Sequence, residues 1–289
     1  MYNDKGNAKR LGMLSLLLSF VFLSGCEYNY TGDGYSILEE NPNAEPWFNV
    51  YRPADMLSVV EDTGRLLPVV VWANGGCLRS DFTWQPLFKR WAAAGYVVLA
   101  LAESPEGPGA LGMTDSADHG QLIDWALTQS SYTDLLDSSR IVAAGNSCGG
   151  VTAMELAAED ARVSAIFVLS GSSAVGSSSI KVMENITVPL GFVVGGSTDI
   201  AGRNAIKDYE ILADGIPAMI VSRFKGGHLT VSTNVPILEQ EANIALNWMN
   251  LALYGSQAAY DELTSDVVCS NCVANEWTVN AKSLELLLP

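Results

Sequence analysis

Arg140-Ile141-Val142-Ala143-Ala144-Gly145-Asn146-Ser147-Cys148-Gly149-Gly150 runs from an apolar strand pattern into a Gly-x-Ser-x-Gly turn and then into a helix of small residues. A serine at the apex of so sharp a strand-to-helix turn sits in a strained backbone conformation. Its neighbours two residues away on either side must lack bulk for the chain to close. Gly145 and Gly149 meet that requirement, Ile141 and Val142 lead in as β-branched residues, and Val151, Met154 and Ala158 follow at helical spacing. The pattern predicts Ser147 as a nucleophile displayed at the carboxyl end of a strand. The turn geometry exposes Ser147 at its centre rather than Cys148 beside it. An ordinary glycine-rich turn is the competing reading.

Outward from this turn, short apolar runs alternate with helical patterns. Strands are expected at Phe48 to Tyr51, Pro68 to Trp72, Tyr96 to Ala102, Ile141 to Ala144, Val163 to Leu169, Leu190 to Val194 and Met219 to Phe224. Helices are expected at Phe82 to Ala94, Ser116 to Gln129, Val151 to Ala158 and Ile200 to Ala213, and a last amphipathic one carries Ile237, Ile244, Trp248 and Leu251. Continuous apolar strands separated by helices imply an α/β fold with a largely parallel central sheet covered on both faces. In such a sheet, reactive groups gather on loops at the carboxyl ends of the strands.

A serine hydroxyl is a poor nucleophile at neutral pH. It needs a base within hydrogen-bond reach and a third group to fix that base's tautomer. Of the two histidines, only His228 follows Ser147, in Lys225-Gly226-Gly227-His228 just past a strand pattern; His119 lies inside a helical pattern and reads as structural. Phe192-Val193-Val194-Gly195-Gly196-Ser197-Thr198-Asp199 places Asp199 after another strand as the orienting acid, with Asp208 and Asp214 as rivals on or beyond the next helix. The oxyanion of a tetrahedral intermediate requires backbone donors. Cys148 N–H is one candidate. Trp72-Ala73-Asn74-Gly75-Gly76-Cys77 resembles a His-Gly-Gly oxyanion loop with Asn74 in place of histidine, so Cys77 N–H is the first choice for the second donor and Gly76 N–H the next. If Cys77 and Cys148 both flank the hole, either a disulfide joins them or they are two buried thiols.

From Trp47 to about Tyr254, these motifs in this order resemble the α/β-hydrolase superfamily, particularly its dienelactone-hydrolase-like, chlorophyllase-like and polyester-hydrolase-like branch. Asp137-Ser138-Ser139-Arg140, Asp199-Ile200-Ala201 and Trp248 add to the likeness. The resemblance implies hydrolysis of carboxylic esters through an acyl-enzyme on a Ser147, His228 and Asp199 triad, with no metal or organic cofactor. Two departures stand out. Gly76-Cys77 and Ser170-Gly171-Ser172-Ser173 occupy places where polyester hydrolases carry aromatic side chains, and Ser147 stands where the dienelactone enzymes carry cysteine. The stretch from Gly171 to Thr187, short and rich in serine and glycine, leaves no room for a sizeable cap domain, which implies an open cleft for a small-molecule or exposed polymer ester. Phe82, Trp84, Trp125 and Tyr132 could line that cleft or pack in the core.

The ends of the chain carry other signals. Lys5, Lys9 and Arg10 precede the apolar run Leu11 to Leu23, an export-signal pattern too short for a comfortable membrane span. Leu23-Ser24-Gly25-Cys26 resembles the lipobox of bacterial lipoproteins. By that likeness residues 1–25 are a signal peptide, Cys26 carries the lipid, and the protein is held on a membrane of the bacterial envelope; Glu27 rather than aspartate after Cys26 points to the outer one. Residues 26–45 read as a tether and 46–289 as the folded domain, expected as a monomer.

At 289 residues, 48% of them hydrophobic and 17% charged, the chain can bury a substantial core. Its net charge of -16 disfavours nucleic acid as a partner, because that binding rests on basic groups that displace counterions. Cys269-Ser270-Asn271-Cys272 has the spacing of redox and zinc sites, but with no second such pair and only two histidines it reads as a local disulfide. A non-catalytic binding protein on the same fold, and an amide or thioester hydrolase with the same triad, are the alternative functions.

Overall fold

In the computed structural model, which describes residues 26–28, 34–104, 112–173, 179–228 and 234–289, the apolar runs become the strands of one ten-stranded sheet. The strands are β1 (Cys26–Tyr28), β2 (Ile37–Glu40), β3 (Phe48–Pro53), β4 (Leu67–Ala73), β5 (Val97–Leu101), β6 (Leu136–Asn146), β7 (Val163–Leu169), β8 (Leu190–Val194), β9 (Ala218–Arg223) and β10 (Trp277–Lys282). Their spatial order is β1-β2-β3-β5-β4-β6-β7-β8-β9-β10. The six from β5 to β9 pair in parallel, while β1, β2 and β3 on one side and β10 on the other pair antiparallel. The architecture is therefore α/β, with a mixed, largely parallel open sheet.

The helices are α1 (Met56–Thr63), α2 (Gln85–Ala93), α3 (Ser116–Thr128), α4 (Cys148–Glu159), α5 (Ser179–Asn185), α6 (Gly202–Ile211), α7 (Val235–Tyr254) and α8 (Gln257–Leu263). Strand alternation divides the core in two. Val70 and Trp72 of β4 face α2 and α7 beside Trp91 and Trp248. Val69 and Val71 face the layer that contains α3 and α4, beside Leu122 and Met154. Trp248 lies against Gly191 and donates its indole N–H to Ile166 O at 2.8 Å, which locks α7 onto the parallel strands.

Two expectations change. Residues 26–45 do not run free of the body throughout: Ile37–Glu40 pairs with β3 and Ile37 is fully buried, so ordered structure begins ahead of residue 46. The sheet also gains β10, whose polar alternation gave no continuous apolar run. Trp84 and Trp125 are core residues, packed against Trp72 and Phe48, whereas Phe82 is 79% exposed. Cys269 and Cys272 form the expected disulfide. The signal-peptide expectation for residues 1–25 lies outside the described residues, as does part of the short stretch read as too small for a cap. Among the described residues, no helix is long and apolar enough to cross a membrane.

Candidate active site

Parallel pairing sets the carboxyl ends of β4, β6, β8 and β9 on one rim, through Ala73 opposite Gly145, Asn146 opposite Leu169, Leu169 opposite Val193, and Val194 opposite Ser222. Ser147 stands on that rim between β6 and α4 with φ 54 and ψ -117, a conformation that side chains other than glycine seldom adopt. Close packing explains its neighbours: a Cβ on Gly145 would come 2.3 Å from Gly149 O, and one on Gly149 would come 2.0 Å from Ala73 O. The turn closes only because those atoms are missing.

The three side chains singled out from sequence meet here. Ser147 Oγ lies 2.8 Å from His228 Nε2, and His228 Nδ1 lies 2.8 Å from Asp199 Oδ1. Asp199 is 4% exposed. Its Oδ2 accepts the Gly195 N–H at 2.8 Å, and its Oδ1 accepts the Ala201 N–H at 2.9 Å. Burial alone would raise its pKa, but the hydrogen bonds from Gly195, Ala201 and His228, together with the nearby Ser170 hydroxyl, outweigh it and hold the carboxyl below its ordinary value. Ser170 Oγ, though close, makes no bond of standard geometry. An ionised, fixed Asp199 accepts the Nδ1–H of His228 and so leaves Nε2 bare as the acceptor facing Ser147.

The acid and histidine loops are also tied to each other. Thr198 bridges in parallel to Gly227, and its hydroxyl donates to Gly226 O. Gly196, at φ 86, has Arg223 O where a side chain would begin. The rival Asp208 is occupied elsewhere: its carboxylate accepts the N–H and hydroxyl of Ser173, which pins the loop after β7. His119 is buried in α3 with Nδ1 2.7 Å from Asp115 O, and burial lowers its pKa, so it serves as a neutral structural side chain.

On the loop after β4, the N–H expected as the first-choice donor already has a partner. Cys77 N–H donates to Asn74 O at 3.1 Å within a single 3₁₀ turn and is therefore engaged. Gly76 N–H makes no hydrogen bond with the described residues, and Cys148 N–H, at the first position of α4, has no carbonyl four residues behind it in the helix. The open donors on the two loops are thus those of Gly76 and Cys148. Asn74 holds the turn: its Oδ1 accepts the Trp72 indole N–H at 2.9 Å and its Nδ2 donates to Leu101 O at 3.2 Å. Cys77 and Cys148 are joined as a disulfide, the first of the two possibilities open to the sequence.

Beside Ser147 and His228 lies a cavity of about 90 Å³, walled by Ser170, Gly171, Ser172, Ile200, Ala201 and Asn204. Two stretches noted in the sequence supply most of these walls, Ser170-Gly171-Ser172-Ser173 and Asp199-Ile200-Ala201; Asn204 carried no signal. Hollows of about 130 Å³ under β4 and about 520 Å³ beside β10 are lined by neither Ser147 nor His228. Among the described residues, no cluster of three or more metal-ligating side chains occurs. No family model matches the chain, and no curated protein matches it significantly.

Proposed function

We propose that this protein is a serine hydrolase of carboxylic esters, built on the α/β-hydrolase fold and working through an acyl-enzyme. The observation that carries the reading is the continuous hydrogen-bonded line from Ser147 Oγ through the His228 ring to Asp199, with the serine held in a strained turn at the head of α4. The chain order serine, aspartate, histidine and the strand-turn-helix setting of the nucleophile support the same fold assignment.

In the proposed reaction, Ser147 Oγ adds to the ester carbonyl carbon while His228 Nε2 takes the hydroxyl proton. Charge then collects on the carbonyl oxygen, which Gly76 N–H and Cys148 N–H stabilise at the positive end of α4. Collapse expels the alcohol, which leaves with the proton from Nε2, and the acyl group stays on Ser147. Water repeats the cycle: its proton goes to Nε2, its oxygen to the acyl carbon, and the acid departs as Ser147 regains its hydrogen. Asp199 remains ionised throughout and stabilises the imidazolium. We further propose lipid attachment at Cys26 and residence on the outer membrane of a bacterial envelope, supported by the apolar run and the Leu23-Ser24-Gly25-Cys26 motif.

The test is turnover of p-nitrophenyl acetate and butyrate by the purified protein and its Ser147→Ala variant. A loss of roughly 10³-fold or more in kcat is expected, because the serine and histidine of such triads act as a unit. Equal rates in the two proteins would remove the mechanism.

A further inference from the structure

The proposed oxyanion hole draws one donor from each of two separate chain segments, and a covalent bridge joins those segments at the adjacent residues. Cys77, which follows Gly76, is bonded to Cys148, which follows Ser147, across 71 positions of sequence with Cα atoms 5.2 Å apart. The segment that carries Gly76 is conformationally costly. Gly76 has φ 67 and Cys77 has φ 54, and a non-glycine residue in the left-handed region persists only where its surroundings hold it.

Hydrogen bonds hold this turn to its own side of the site: Asn74 to Trp72 and Leu101, Cys77 N–H to Asn74 O, and Thr114 N–H to Cys77 O at 2.9 Å. The tie toward α4 is of another kind. Besides the close backbone packing of Gly149 on Ala73 and Asn74, it consists of the disulfide, with Cys77 Sγ 3.6 Å from Thr152 Oγ1 one turn into that helix. The triad bonds involve none of these atoms, so the bridge bears on the spacing of the two donors and not on the proton path.

We propose that the Cys77–Cys148 disulfide is the positioning element of the oxyanion hole, setting the distance between Gly76 N–H and Cys148 N–H, and that its reduction slows acyl transfer without dismantling the triad. This rests on the reading of the site as an acyl-transfer centre. Donors stabilise an oxyanion only within about 2.7–3.1 Å of it, and loss of one costs on the order of 10²–10³ in kcat. Because the charge exists only in the transition state, the defect belongs in kcat and not in KM. Cys77 is a positioning residue, and Cys148 acts as one through its sulfur while its own N–H is a donor; neither sulfur takes part in the Ser147, His228 and Asp199 hydrogen bonds.

The experiment uses a Cys269→Ala/Cys272→Ala background, so that one bridge remains to be opened. Tris(2-carboxyethyl)phosphine reduces it: two electrons from phosphorus cleave the S–S bond, water supplies two protons to the sulfurs, and its oxygen ends on the phosphine oxide. Alkylation and mass spectrometry confirm two free thiols at residues 77 and 148, and circular dichroism follows the fold. Expected are a 10- to 10³-fold fall in kcat for p-nitrophenyl acetate, KM within threefold, and a matching loss of affinity for a boronic acid that mimics the tetrahedral state. Reoxidation by oxidised glutathione, which takes up the two hydrogens as two reduced glutathiones, should restore the rate. Unchanged kcat with both thiols open would overturn the proposal, and so would loss of the circular dichroism signal on reduction, which would make the bridge a structural clasp. Absence of turnover in the oxidised protein would instead remove the underlying reading of the site.

Discussion

Gly149 has no space for a side chain: its would-be Cβ meets Ala73 O at 2.0 Å, backbone against backbone at the junction of β4 and α4. Gly149→Ala is therefore expected to destabilise the fold by about 1–3 kcal/mol, in the range of overpacked cores, and to lower kcat by displacing Cys148 N–H. Urea denaturation alongside turnover of p-nitrophenyl acetate reads both effects. This steric demand is also why Ser147 was legible, since a glycine on each side of a serine marks a turn whose geometry admits nothing larger. His228 and Asp199 were legible because each follows a strand pattern and a glycine pair. The choice between Gly76 and Cys77 was not, because which N–H a three-residue turn spends on itself depends on φ and ψ that the sequence does not display. Glu241 gave no signal either. It is 1% exposed, and burial raises its pKa well above the ordinary value, with Asp199 adding to the rise and Arg223 opposing it. A carboxyl whose folded pKa is raised keeps its proton while the unfolded chain releases one. Stability is therefore full below the unfolded value of about 4.3 and declines as pH rises above it. Glu241→Gln removes that decline: the urea midpoint of the variant should exceed that of the wild type at pH 8, with the gap closing toward pH 4. A wild-type advantage that widens with pH would contradict the assignment.

At the scale of elements, β7 and β8 fall on their expected residues because buried parallel strands read as unbroken apolar runs. Edge strands do not. β10 pairs antiparallel with β9, leaves Thr278, Asn280 and Ala281 exposed, and carries no continuous apolar run. Helix α1 was missed although its ends are marked: Asp55 accepts the Ser58 N–H at 3.0 Å, and Gly64 closes the helix at φ 67. The two disulfides differ in what they constrain. Cys269–Cys272 spans a separation of 3 and Cys77–Cys148 one of 71, so loop-closure entropy assigns about 1.6 kcal/mol to the first and about 4 kcal/mol to the second. Cys269→Ala/Cys272→Ala should accordingly leave the melting temperature within a few degrees of the wild type, as a differential scan would show, whereas opening the other bridge should lower it further.

Across the whole molecule, the esterase reading proposed above places the acyl group of the substrate in the small cavity on the rim beside Ser147 and His228. A space of about 90 Å³ is smaller than the roughly 150 Å³ cavity that admits benzene, so it suits acyl groups of a few carbons. kcat/KM should be at least tenfold higher for p-nitrophenyl acetate or butyrate than for the octanoate, and a preference for the long chain would contradict the cavity assignment. Six parallel strands bring residues 147, 199 and 228 to one edge, and this convergence is the claim on which the rest depends. A fluorophosphonate probe tests it most directly, since only a serine activated by a neighbouring base reacts rapidly. Incubation of the folded protein should add one phosphonyl group, mapped by mass spectrometry to the peptide that contains Ser147, and His228→Ala should slow the labelling by orders of magnitude. Labelling at another serine, none at all, or a rate indifferent to His228 would contradict it.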